Sequence, residues 1–202
     1  RQPRLRRAFL VSTDEVYGPA APGAAGFTEG DRFRPTNPYA AAKAGGECLA
    51  MAYAHCYGIP LTVVSTMNLF GERQHPEKMV PGTLRKVLRG ERVTIHADPT
   101  RTRAGSRFYL HCRNFSAALL HFANIAGDLP RKIHVAGERE VDNLALARRI
   151  AEVAGRPLDY EMVDFHGSRP GHDLRYALDD GLARSLGWNQ PVGFDESLAR
   201  TV

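Results

Sequence analysis

The 202-residue chain is 43% hydrophobic and 24% charged, with a formal charge of +5 at pH 7. That is the make-up of an ordinary globular protein, long enough for one large or two small domains. No apolar run approaches the roughly 18 residues of a membrane span, no histidine pair has zinc-ligand spacing, and aromatics do not interleave with the basic residues as a nucleic-acid surface requires. The arginine-rich balance reads as a solvated basic surface, or as a match for an anionic small molecule such as a nucleotide.

In chain order, "RAFLVS" reads as a buried strand that runs into "TDEVYG" (Thr13 to Gly18). A long Gly/Pro/Ala-rich loop follows, of the length usually kept for function. Asn37 offers a helix N-cap and Pro38 a first helical position. The helix is expected to run to about Tyr57, where Gly58 and Pro60 stop it. "PLTVVST" (Pro60 to Thr66) is the next strand. Beyond Gly71 the expectations are a helix from Val80 to Arg89, strands "RVTIH" and "FYLHC", helices near Asn114 to Ala126 and Leu144 to Ala154, and "KIHVAG" as a strand between them. A short helix near Asp180 to Leu186 and a helix start at "FDESLARTV" close the chain. Strands alternating with helices predict an α/β fold. Cys48, Cys56 and Cys112 form no CxxC pair and are odd in number, so they read as reduced core thiols in a cytoplasmic protein.

Two adjacent carboxyls at a strand end are either a solvated turn or the acid and base of a reaction. Tyr39 and Lys43, in "NPYAAAKAGGE", stand four apart and share a helix face. A lysine ammonium close to a phenol lowers the tyrosine's pKa, and a phenol so tuned can take a proton from an alcohol while hydride leaves the carbon. The spacing alone is also that of an exposed helical pair. The order Ser/Thr, then Tyr-x-x-x-Lys, then an apolar strand carries more weight.

With "STDEVYG", "YAAAK", "NLFGERQHPEKMVP", "GSRFYLH" and "RPGHDLRYALD", the sequence resembles the extended short-chain dehydrogenase/reductase superfamily, and within it the dTDP-glucose 4,6-dehydratases. The resemblance covers nearly the whole chain. It implies the C-terminal part of a Rossmann-like, doubly wound parallel sheet in residues 1–70, to which 108–136 return. A smaller mixed α/β substrate-binding lobe would fill most of 71–202. It also implies NAD as cofactor, a nucleotide-sugar substrate and a homodimer through the Pro38–Tyr57 helix. By resemblance the catalytic residues are Thr13, Asp14 (acid), Glu15 (base), Tyr39 and Lys43. Tyr39, Lys43 and Asn68 would meet the cofactor, and Thr13, Asn68, Lys78, Arg107, Asn143 and His172 the sugar nucleotide, with Arg107 gripping the diphosphate and Arg169 a further candidate.

The superfamily's GxxGxxG loop, which lays a pyrophosphate on a helix N-terminus, does not occur in this sequence. The chain starts on Arg1 and reads as the C-terminal portion of a longer enzyme, inactive by itself and stopping within its last helix. Phe108, Arg113, Asn114 and Leu69 depart from the dehydratase pattern and leave sugar and nucleotide open. An epimerase or decarboxylase on the same fold, or a non-catalytic sugar-nucleotide-binding remnant, are the alternatives.

Overall fold

The computed structural model describes residues 5–164 and 174–202. The first apolar run forms strand β1 (Ala8–Thr13), and the acidic pair opens a single 3-10 turn, Asp14–Tyr17. Helix α1 (Pro38–Tyr57) has the bounds its caps dictate. Asn37 Oδ1 accepts from the Ala40 amide at 2.8 Å, and Gly58 ends the helix in the left-handed region at φ 63°. Strand β2 (Leu61–Thr66) follows, then the two-residue β3 (Leu69–Phe70), helix α2 (Met79–Arg89) and strand β4 (Val93–Ala97).

The run expected as one strand, "FYLHC", divides. Ser106–Phe108 form β5 and Leu110–His111 form β6, while Cys112 begins helix α3 (Cys112–Asn124). The His111 ring explains the early start, because its Nδ1 accepts from the Arg113 amide at 3.1 Å and caps the helix. Strand β7 (Lys132–Val135), strand β8 (Glu140–Asp142), helix α4 (Asn143–Val153) and strand β9 (Tyr160–Asp164) come next, with helices α5 (Gly181–Ser185) and α6 (Phe194–Thr201) last.

Strands β1, β2 and β7 make a parallel sheet in that order, with Thr13 beside Thr66 and Thr66 beside Val135. All three strands therefore end level, and the acidic turn lies on their C-terminal edge, where ligands bind in open α/β sheets. Among the described residues β1 stands at one side of this sheet, and Val11 is 39% exposed. The other pairings are β3 with β6 and β4 with β9, both parallel, and β5 with β8, antiparallel.

Val64, Ile133, Val135, Phe115, Phe122 and Trp188 fill the core between the sheet and α3. A second cluster, Val16, Tyr17, Ala44, Met67, Tyr176 and Leu178, lies under the acidic turn. Helix α1 buries only Ala40, Ala44, Glu47 and Ala54 along its 20 residues. Cys48 and Cys56 are exposed on it and Cys112 is half-buried, so the cysteines are free thiols but not core residues. Cys48 and Cys56 fall outside the narrow alanine stripe of α1.

Candidate active site

Thr13 is the hinge between β1 and the turn. Its backbone is still extended (φ −131°, ψ 154°), and its Oγ1 accepts from the Glu15 amide at 3.3 Å. The same hydroxyl donates to Asp14 Oδ1 at 2.8 Å. Asp14 is 5% exposed, and its Oδ2 finds no hydrogen-bond partner among the described residues. Burial is the main reason its carboxyl is pushed up to about 6; the Thr13 hydrogen bond and the Arg107 guanidinium pull it down, and Glu15 pushes it up again. An Asp14 so placed keeps its proton to a higher pH than an ordinary carboxyl does and gives it up at about 6.

Glu15 is half-buried and accepts from Asn37 Nδ2 at 2.9 Å. Asn37 thus uses one amide oxygen to cap α1 and its nitrogen to hold Glu15. Two carboxyls adjacent in sequence have different surroundings, the condition for one to act as acid and the other as base.

Tyr39 and Lys43 stand on the first turns of α1. Tyr39 is 54% exposed. Its phenol is raised above the usual value by partial burial and by the charges of Glu15 and Asp14, with a hydrogen bond to Thr13 pulling the other way. The expectation of a phenol lowered by Lys43 is corrected here. The Lys43 ammonium donates to the Val11 carbonyl at 2.8 Å, and the charges that act on Tyr39 are those of Glu15 and Asp14.

Arg107, on β5, donates from Nη1 to the carbonyls of Ser106 and Leu174 at 2.7 Å each, and its guanidinium lies 4.7 Å from the Tyr176 ring centre. It is close enough to act electrostatically on both Asp14 and Tyr109. Asn143 opens α4 and accepts from Tyr109 Oη at 2.7 Å, so it belongs to the Arg107 side of the site. Asn68 is exposed just past β2; its carbonyl accepts from the Leu110 amide at 3.2 Å. Lys78 is an exposed N-cap of α2 that makes no capping bond. Among the described residues no hydrogen bond or ion pair joins Lys78 or Asn143 to the acidic turn. Arg169 and His172 lie outside the described residues.

Two concavities, of about 440 and 570 Å³, lie elsewhere: one beside Phe33, Met51 and Lys132, the other at the N-terminal ends of the strands around Arg7 and Pro60. The acidic turn borders neither, and we take the chemistry of Asp14, Glu15 and Tyr39, rather than cavity size, to mark the site. Glu72, His111 and Cys112 bring potential metal-ligand atoms within 4.8 Å of one another. Because His111 Nδ1 accepts from the Arg113 amide, the proton of its neutral ring sits on Nε2, facing Glu72 at 3.4 Å. That is the wrong polarity for a metal ligand.

A strand-end Thr-Asp-Glu facing a Tyr-x-x-x-Lys helix across the C-terminal edge of a parallel sheet is the layout of an extended short-chain dehydrogenase/reductase. The chain belongs to the family described as GDP-mannose 4,6 dehydratase, whose model matches residues 2–201. It is 38% identical over 199 residues to a dTDP-glucose 4,6-dehydratase of Actinoplanes, covering 98% of this chain and 59% of that one. Among solved structures, it is similar to a dTDP-glucose 4,6-dehydratase of Streptomyces venezuelae with NAD bound (33% identity, TM-score 0.83, 96% of this chain and 58% of that one). It is also similar to the UDP-glucose 4-epimerase of Thermus thermophilus in complex with NAD (26% identity, TM-score 0.87, 96% and 62%). The chain spans between 29% and 61% of the length of the first curated relatives it matches.

Proposed function

We propose that this chain carries the substrate-side chemistry of an NAD-dependent sugar-nucleotide 4,6-dehydratase, with dTDP-glucose as substrate and the 4-keto-6-deoxy sugar nucleotide as product. The observation that carries the reading is the contrast between a buried Asp14, bonded to Thr13 and raised by burial, and the adjacent Glu15, held by Asn37. An epimerization at C4 has no use for a second carboxyl acid there, whereas loss of water across C5 and C6 needs one group to take a proton and another to give one.

In this reading Tyr39 takes the O4 proton as C4 is oxidized, and Thr13, which donates to Asp14, holds the sugar hydroxyl beside it. The C4 carbonyl makes the C5 hydrogen acidic, and Glu15 removes it. Asp14 protonates the C6 hydroxyl, which leaves as water, and Glu15 returns its proton to C5. NAD, when bound, accepts the hydrogen and electron pair lost from C4 and gives them back at C6, so none is consumed. Tyr39 and Lys43, on the open side of α1, fit the nicotinamide-ribose end of that cofactor, together with Asn68. This sequence has no GxxGxxG loop for the pyrophosphate. Arg107, Asn143, Lys78 and His172 are assigned to the nucleotide diphosphate.

The division into a cofactor unit (1–70 with 108–136) and a substrate lobe (most of 71–202) is supported by the β1–β2–β7 sheet. A homodimer through α1 is supported by its exposed Leu49, Tyr53 and Tyr57, at 61%, 52% and 61% exposure, and by open space at Gly45 and Gly46. Free cysteines support a cytoplasmic setting; no helix among the described residues is long and apolar enough to cross a membrane.

The test uses the full encoded protein with NAD and dTDP-glucose in D₂O, followed by NMR. The parent should yield the 4-keto-6-deoxy sugar. Asp14→Asn should form no product yet place deuterium at C5 of recovered substrate, while Glu15→Gln should do neither. Turnover of dTDP-glucose to its C4 epimer, or full activity in Asp14→Asn, would replace this reading with the epimerase one.

A further inference from the structure

Helix α1 carries the proposed phenol, and β1 with its turn carries the carboxyls, so the reaction depends on how these two elements are set against each other. Apolar packing fixes that setting poorly. The apolar residues α1 buries are three alanines, Ala40, Ala44 and Ala54, and a smooth alanine stripe offers few ridges to resist sliding or rolling. What does join α1 to β1 is polar and directional. Asn37 holds Glu15, Lys43 donates to the Val11 carbonyl, and Ser12 Oγ donates to Glu47 Oε1.

The third contact is the most deeply buried. Glu47 is fully buried and Ser12 is 4% exposed. The other carboxylate oxygen of Glu47 accepts from Lys132 Nζ on β7 at 2.7 Å. Lys132 in turn lies 4.5 Å from the ring centres of both Tyr17 and Phe33. Tyr17 closes the acidic turn and is hydrogen-bonded through its hydroxyl to His134 Nε2 at 2.7 Å. One carboxylate therefore touches the residue before Thr13 and, through Lys132, the far end of the Asp14–Tyr17 turn. It sits at the third step of the four-residue series Tyr39, Lys43, Glu47. A buried ion pair adds little net stability over apolar residues of the same volume, and its best-attested use is to fix register.

We propose that Glu47 is a positioning residue: gripping Ser12 and Lys132, it fixes the rotation and axial placement of α1 on β1, and so the distance from Tyr39 to Thr13, Asp14 and Glu15. The proposal deepens the dehydratase reading and rests on it for the roles of Tyr39, Asp14 and Glu15.

The experiment compares the full encoded protein with the double variant Glu47→Leu/Lys132→Met, which removes both charges together and leaves none unpaired. The expected result is a urea midpoint close to the parent's and a KM for dTDP-glucose within about 3-fold. The kcat should fall about 100-fold, the scale that an ångström of misplacement produces. An ultraviolet difference titration, with the Tyr39→Phe protein as baseline, reads the same displacement without turnover: the phenol should ionize at lower pH once it moves away from Glu15 and Asp14. Parental kcat with an unmoved Tyr39 titration would overturn the proposal. Should the double variant fail to fold, Ser12→Ala decides the same point while keeping the ion pair. A fall in kcat of about 10-fold with a lowered Tyr39 titration supports the proposal, and no change in either refutes it. If the parent leaves dTDP-glucose unchanged, the dehydratase reading fails, and the Tyr39 titration still decides what Glu47 does.

Discussion

Replacing Asp14 by asparagine keeps the side chain's shape and removes only its ability to ionize. In the folded chain this carboxyl titrates at about 6 instead of 3.8, chiefly because it is buried. Each pKa step is worth about 1.4 kcal/mol, so once the group is ionized in both states the raised Asp14 weakens folding by about 3 kcal/mol. Between pH 3.8 and about 6 the folded chain holds this proton more tightly than the unfolded chain does. Its contribution to stability therefore falls as pH rises through that window, then stays low. Asparagine has no such loss. Below the window both side chains are neutral, both can accept from Thr13, and both leave one buried polar atom without a partner. The expected outcome is that Asp14→Asn gains about 2 kcal/mol over the parent on going from pH 4 to pH 8, measured by urea unfolding at each pH. His134 acts in the opposite sense: burial lowers its imidazole to about 4, so its contribution rises with pH up to its ordinary 6.5. The parent's stability should thus vary little where these two oppose each other, and the variant's should climb. A difference between parent and variant that is flat with pH would refute the account of Asp14 as a carboxyl whose proton is held by burial.

Asn37→Ala should lose about 1 kcal/mol of stability with the cap it gives Ala40, and activity with the hold on Glu15. Asn37→Asp keeps a capping oxygen but sets a like charge against Glu15, so it should unfold at a urea concentration near the parent's and show a kcat well below it. Parental kcat in Asn37→Asp would show that Glu15 needs no amide partner. Gly18 ends the acidic turn at φ 78°, and a Cβ there would lie 2.4 Å from the Arg34 carbonyl oxygen. Gly18→Ala should therefore destabilize by about 1–3 kcal/mol, read as a lower urea midpoint; an unchanged midpoint would contradict this.

Where one local signal governs, sequence and structure agree. Asn37, Pro38 and Gly58 set both ends of α1, and the β-branched run 61–66 forms the central strand β2. Strand β9 escapes notice because "YEMVD" is short, is flanked by acids and starts with two exposed residues, and β3 and β8 are too short to show a period. At the site, the acidic pair and the Tyr39–Lys43 spacing are visible in the sequence, but their fields are not. Whether a phenol feels a lysine or two carboxyls depends on where the lysine's long chain ends, and Lys43 ends on the Val11 carbonyl. Glu47 was within reach of the same spacing argument, since "YAAAKAGGE" repeats the four-residue step once more. Its burial was not, because Ser12 and Lys132 are 35 and 85 residues away along the chain.

The polar fastening of α1 also bears on which changes of length the chain can accept. Each residue inserted in a helix turns everything beyond it by about 100° and advances it by about 1.5 Å. One residue added or lost between Tyr39 and Glu47 would leave Asn37 on Glu15 while swinging Glu47 away from Ser12. The same change beyond Glu47 would disturb mostly exposed positions such as Leu49, Tyr53 and Tyr57 and, of α1's buried residues, only Ala54. Related chains should therefore vary at the exposed positions Ala41, Ala42, Gly45 and Gly46 between these anchors, and hardly at all in how many residues there are.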